Sequence, residues 1–146
     1  MKLPDAPIIE KVRQWLAYAD EDLRVARYGF SIPENPPFRV ITFHAQQCAE
    51  KCVKAYLVFL GVDFPFTHSL RRLVDLCAAA APWAEELRDA EELSPYAITA
   101  RYPGEDLVVS EAGARRAVEI AERVQEIIRN AFRQEGFEAG PENKPA

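Results

Sequence analysis

No stretch of these 146 residues approaches the roughly 18 consecutive apolar positions that a membrane-spanning helix needs. A signal-peptide core is missing as well: in MKLPDAPIIEKVRQW the charges of Glu10, Lys11 and Arg13 interrupt every apolar run. A cytoplasmic location is therefore expected. Basic residues are in deficit, 18 against 23 acidic, and the net charge of −5 argues against broad, sequence-blind attraction to nucleic acid. A local basic site stays open. Cysteine is scarce, and three cysteines cannot all pair with one another. In a reducing compartment they stay as thiols, so no disulfide framework is expected. There is no glycine-rich phosphate loop, no Gly-x-Ser-x-Gly elbow and no His-Glu-x-x-His. What is present is the balance of an ordinary globular protein, 49% apolar and 28% charged. A chain of this length buries about two-thirds of its unfolded surface in a single core.

Hydrophobic spacing predicts helix almost throughout. Ile8/Ile9, Val12, Trp15/Leu16, Ala19, Leu23, Ala26 and Phe30 recur at three- and four-residue steps, marking a helix from about residue 5 to 30. The segment Ser31-Ile-Pro-Glu-Asn-Pro-Pro breaks it, because proline cannot continue a helix. A second helix is expected from about Phe38 to Leu60, apolar around much of its circumference and therefore central, with Gly61 ending it. Thr67 reads as the N-cap of a third helix with Leu70, Leu73, Val74, Leu76 and Cys77 as its buried stripe. Pro82 ends that helix or starts a short fourth one from about Trp83 to Leu93, whose acidic residues Glu85, Glu86, Asp89, Glu91 and Glu92 read as a solvated face. Residues 94–106 are expected to cross irregularly, and Ser110 to cap a last long helix with Ala114, Ala117/Val118, Ala121, Val124, Ile128 and Phe132 as its core stripe. The expectation is an all-α bundle of four to five helices, one domain over 1–134, followed by a polar, frayed tail over 135–146.

The second helix carries Phe43-His-Ala-Gln-Gln-Cys-Ala-Glu-Lys-Cys-Val-Lys-Ala-Tyr-Leu, followed by Gly61, Thr67-His68-Ser-Leu and later Arg101-Tyr102-Pro103. In order and spacing these pieces resemble the HEPN domain family, over about Trp15 to Phe132. The resemblance implies an up-down helical bundle, frequently a homodimer, and a partnership with a minimal nucleotidyltransferase in toxin–antitoxin or related modules. Some members are metal-independent ribonucleases with an Arg-x4–6-His motif; others are regarded as nucleotide- or RNA-binding modules. The chain lacks the Gly-Ser plus paired-Asp pattern of a nucleotidyltransferase, so it would be the transferase's partner.

Several constellations bear on chemistry. Gln47, Glu50, Lys51 and Lys54 share one side of the second helix, a polar stripe that faces water, a partner or a ligand; Glu50 and Lys54 also form an ordinary i,i+4 pair. Lys51, Lys54 and Arg101 are expected to form a local positive patch. Tyr96, Arg101 and Tyr102 can stack a base beside a phosphate-binding guanidinium; equally, Tyr102 can plug the bundle while Arg101 pairs with Glu50. Arg39 and His44 formally satisfy Arg-x4-His, an imidazole base with a guanidinium for the phosphate. On a regular helix, however, a five-residue step separates side chains by about 140°. They converge only if Arg39 lies in a loose first turn or if a dimer mate supplies one of them. The motif also lacks the tyrosine that follows the histidine by two residues in the nuclease members, where this chain has Gln46. His44, Cys48 and Cys52 recur every four residues with Cys77 as a fourth candidate, but two of the sulfurs fall on the apolar face and no metal is expected. His68 reads as first-turn structure. No cofactor is expected. The favoured reading is a non-catalytic module binding nucleotide, RNA or a partner, with a metal-independent ribonuclease and a purely architectural dimer as alternatives.

Overall fold

The computed structural model describes residues 3–97 and 108–139. Four α-helices, α1 (Ala6–Gly29), α2 (Phe38–Leu60), α3 (Leu70–Ala80) and α4 (Glu111–Gln134), are joined by a 3-10 helix at Pro82–Ala97 between α3 and α4. Among the described residues there is no strand, and no helix is long and apolar enough to cross a membrane. The expected all-α bundle is what forms. Helix α2 is its axis: fourteen of its 23 residues are buried, and it touches every other helix. Gly61 closes it with φ 71°, a left-handed conformation that costs glycine little.

Helix α1 lays its stripe of Val12, Leu16, Ala19, Leu23 and Ala26 mainly on α2. They pack tightly at Gly29, where a β-carbon would sit 2.5 Å from Ile41 Cγ1. On the other flank, Tyr56 and Phe59 of α2 meet Phe132 of α4 at ring-centroid distances of 5.0 and 5.1 Å. Burial pushes the Tyr56 phenol up to about 12. Phe137, placed in the polar tail by its flanking residues, folds back onto Phe132 (5.1 Å) and is only 4% exposed. An isolated aromatic among polar residues carries no periodic signal, yet burying it is worth as much as burying any core phenylalanine.

Two local expectations change. Ser69, not Thr67, caps α3: its side chain accepts from Arg72 N (3.3 Å), while Thr67 Oγ1 accepts from Ser69 N (3.1 Å) and so shapes the turn before the helix. The fourth helix is longer than expected and of the 3-10 type. Its buried residues Ala84, Leu87, Ala90 and Leu93 recur every three positions, the spacing at which a 3-10 helix stacks side chains in one column. The acidic residues form the other two columns, and most are partnered rather than simply solvated. Arg88 bonds Glu85 and Glu91 in its own column and reaches Asp75 of α3 at 2.6 Å. In the third column, Glu92 takes Arg116 of α4 (3.0 Å) and Asp89 takes Arg123. The 3-10 helix is thereby clamped to both neighbours.

Candidate binding site

The polar stripe on α2 divides in two. Glu50 and Lys54 are buried, at 2% and 5% exposure, beneath the segment that links α2 to α3. Glu50 Oε2 accepts from Lys54 Nζ (2.9 Å), and Oε1 accepts from Gln46 Nε2 (3.1 Å) and pairs with His68 Nδ1 (3.0 Å). The Gln46 amide also donates to the His68 carbonyl (3.3 Å), and Gln47 donates to Gln46 Oε1 (2.7 Å). The Lys54 ammonium lies 5.5 Å from the Trp15 ring centroid, 5.8 Å from that of Phe64 and 5.9 Å from that of Phe66. Both members of this ion pair are thus consumed by internal partners, as a buried pair must be. His68 is not first-turn structure: it precedes α3 and pins the linking segment to α2.

The second half of the stripe meets α1. Asp22 accepts from Lys51 Nζ (2.5 Å) through one oxygen and pairs with His44 Nδ1 (2.8 Å) through the other. With its carboxylate so occupied, Asp22 is tolerated at 8% exposure. The expected positive patch of Lys51, Lys54 and Arg101 therefore does not form as drawn: Lys54 is buried against Glu50 and Lys51 is tied to Asp22. Arg101 and Tyr102 lie outside the described residues. Tyr96 is half-buried at the end of the 3-10 helix, its hydroxyl about 4 Å from where a side chain on Gly113 of α4 would begin.

Beside the Asp22 cluster a groove of about 560 Å³ runs between α1 and α2. Val25, Tyr28, Ile32, Pro37, Val40 and Ile41 give it apolar walls, with Glu21, Arg24 and His44 as its polar members. Volume and lining fall within the range of small-molecule sites, which pair a mostly apolar surface with a few placed polar groups. Arg24, unlike Lys51 and Lys54, has no ion pair among the described residues.

This chain matches the HEPN domain over residues 12–131, nearly its full length. It belongs to the HEPN domain family. The crystal structure of an archaeal HEPN homologue superposes with a TM-score of 0.64 at 28% identity, covering 83% of this chain and 97% of that one. Among curated proteins nothing matches.

Within this HEPN fold the Arg39–His44 motif does not gain a loose first turn. Helix α2 is regular from Phe38, with Val40 N and Ile41 N both bonded to the Pro37 carbonyl and Thr42 Oγ1 to the Arg39 carbonyl. Within one chain the two side chains therefore diverge by about 140°, and the His44 ring is held by Asp22. The cysteines face inward. Hydrogen bonding to Cys52, with burial, pushes the Cys48 thiol well up, and burial pushes Cys77 to about 11. Such thiols are poor nucleophiles and poor ligands, and no group of metal-ligating side chains occurs among the described residues.

Three residues of these clusters were not among the site residues read from the sequence: Asp22, Gln46 and His68. Asp22 did leave a signal. It stands three positions after Ala19 and four before Ala26, inside the buried stripe of α1, where an acid must find a partner. Gln46 and His68 left none, because their pairing spans 22 residues across a loop.

Proposed function

We propose that this HEPN chain is a non-catalytic module that binds a nucleotide, or one nucleotide of a single-stranded RNA, in the α1–α2 groove, and that it works as a homodimer beside a minimal nucleotidyltransferase. The observation that carries the binding reading is the groove itself, an apolar slot of about 560 Å³ whose cationic member, Arg24, has no ion pair among the described residues. Apolar and aromatic walls suit the faces of a base, and an unpaired guanidinium suits a phosphate. Family membership supports the assembly, and Gln46, where the nuclease members carry a tyrosine two residues after the histidine, together with the divergence of Arg39 from His44 within one chain, favours binding over cleavage.

The test is a fluorescence-anisotropy titration with a labelled single-stranded RNA, competed with AMP, on the parent chain and on Arg24→Ala and Val40→Trp. Binding by the parent, weakened by the first change and blocked by the second, is expected. No binding by the parent refutes the reading. Chelator-resistant cleavage that depends on His44 would place the chain with the ribonucleases instead. Light scattering at tens of micromolar should give a dimer, whose interface should bury more than roughly 1,000 Å².

A further inference from the structure

Asp22 and His44 face each other across α1 and α2, and the polarity of their hydrogen bond has a chemical consequence. A carboxylate only accepts, so the hydrogen in the 2.8 Å contact between Asp22 Oδ1 and His44 Nδ1 belongs to the imidazole. In a neutral ring the one N–H is then at Nδ1, and Nε2 carries a lone pair. The second oxygen of Asp22 is bound to the Lys51 ammonium, which satisfies the carboxylate and holds it in place. Because His44 also lines the groove, its neutral ring offers a ligand there an acceptor at Nε2.

We infer that His44 is the specificity-determining residue of the groove, its Nε2 selecting a nucleotide whose base offers an exocyclic amino group. This rests on the nucleotide reading above and deepens it by naming the edge of the base that is recognised. An amino N–H meets the lone pair; a base with nothing to donate leaves a ring nitrogen desolvated and unpaired, which is the arrangement that costs binding. Arg24 takes the phosphate, and Tyr28 and Val40 take the faces of the ring. Asp22 does not touch the ligand in this scheme. It is a positioning residue that sets which nitrogen of His44 bears the hydrogen.

The test compares AMP with purine riboside 5′-monophosphate, which differs only by the missing 6-amino group, by calorimetric titration of the full chain. AMP should bind about tenfold more tightly or better, the size of one hydrogen bond in a partly open site. His44→Ala should bring the two nucleotides to equal affinity, because AMP loses its acceptor and the analogue no longer leaves a ring nitrogen unpaired. Asp22→Asn places an amide that can donate to Nδ1, letting the hydrogen move to Nε2, and should erase the preference while the melting curve remains cooperative. Nitrogen-15 spectra of the histidines provide an independent readout: Nδ1 of His44 should carry the hydrogen, and Nε2 should respond to AMP. Equal affinity for the two nucleotides in the parent overturns the inference and leaves nucleotide binding standing, as does a hydrogen found on Nε2. Failure of both to bind overturns the nucleotide reading itself, and the inference with it.

Discussion

Replacing Lys54 by methionine separates a structural ion pair from a surface one. The change keeps much of the side chain's apolar stem but leaves Glu50 Oε2 with no donor in a site where the residue is 2% exposed. Removing one partner of a buried pair typically costs about 3–5 kcal/mol, most of it the desolvated charge left behind. Here Gln46 and His68 still serve Oε1, which moderates the loss, whereas the ammonium's attraction to Trp15, Phe64 and Phe66 disappears. The balance comes to about 3 kcal/mol. For a domain of this size that is a fall of roughly 10 °C in melting temperature. Thermal and urea unfolding of Lys54→Met should show it, and Lys54→Met/Glu50→Gln should recover about 1–2 kcal/mol, because the orphaned charge is gone. A single substitution within about 1 kcal/mol of the parent, the level of exposed pairs, would refute the reasoning. A double substitution no more stable than the single would do the same.

Gly29→Ala should destabilise by about 1–3 kcal/mol through overpacking, since its new carbon would meet Ile41 Cγ1 at 2.5 Å and Cδ1 at 2.9 Å; the shorter Ile41→Val, combined with it, should relieve part of the loss in the same urea titration. Acid should loosen the clamp on the 3-10 helix. Hydrogen bonds from Arg88 and Arg116 hold Glu85 and Glu92 below their ordinary value of 4.5, so their contribution is complete above that pH and is lost as the pH falls through the lower folded values. Protection against hydrogen exchange at residues 82–97, corrected for the intrinsic rate at each pH, should therefore fall below pH 4.5 before protection in α2 does, and simultaneous loss of both would contradict this.

The spacing of apolar residues was enough to place α1, α2 and α4 to within a residue, because a helix 24 residues long repeats its own signal six times over. Caps that act locally, Ser110 and Gly61, were legible for the same reason. The 3-10 helix was legible in kind only in retrospect: a three-residue repeat of Ala84, Leu87, Ala90 and Leu93 over one short stretch is close enough to 3.6 to pass for an α-helix. That α2 bears a polar stripe followed from its sequence; what becomes of the stripe did not. A helix's period says which residues share a side, whereas burial depends on what else covers that side. For Glu50 and Lys54 the cover is the segment carrying Phe64, Phe66 and His68, and for His44 and Lys51 it is Asp22 on α1. These contacts join residues 10 to 29 positions apart, beyond the reach of any helical repeat. The groove between α1 and α2 is likewise a product of two helices meeting at Gly29, so its shape and its exposed guanidinium exist only once the chain has folded.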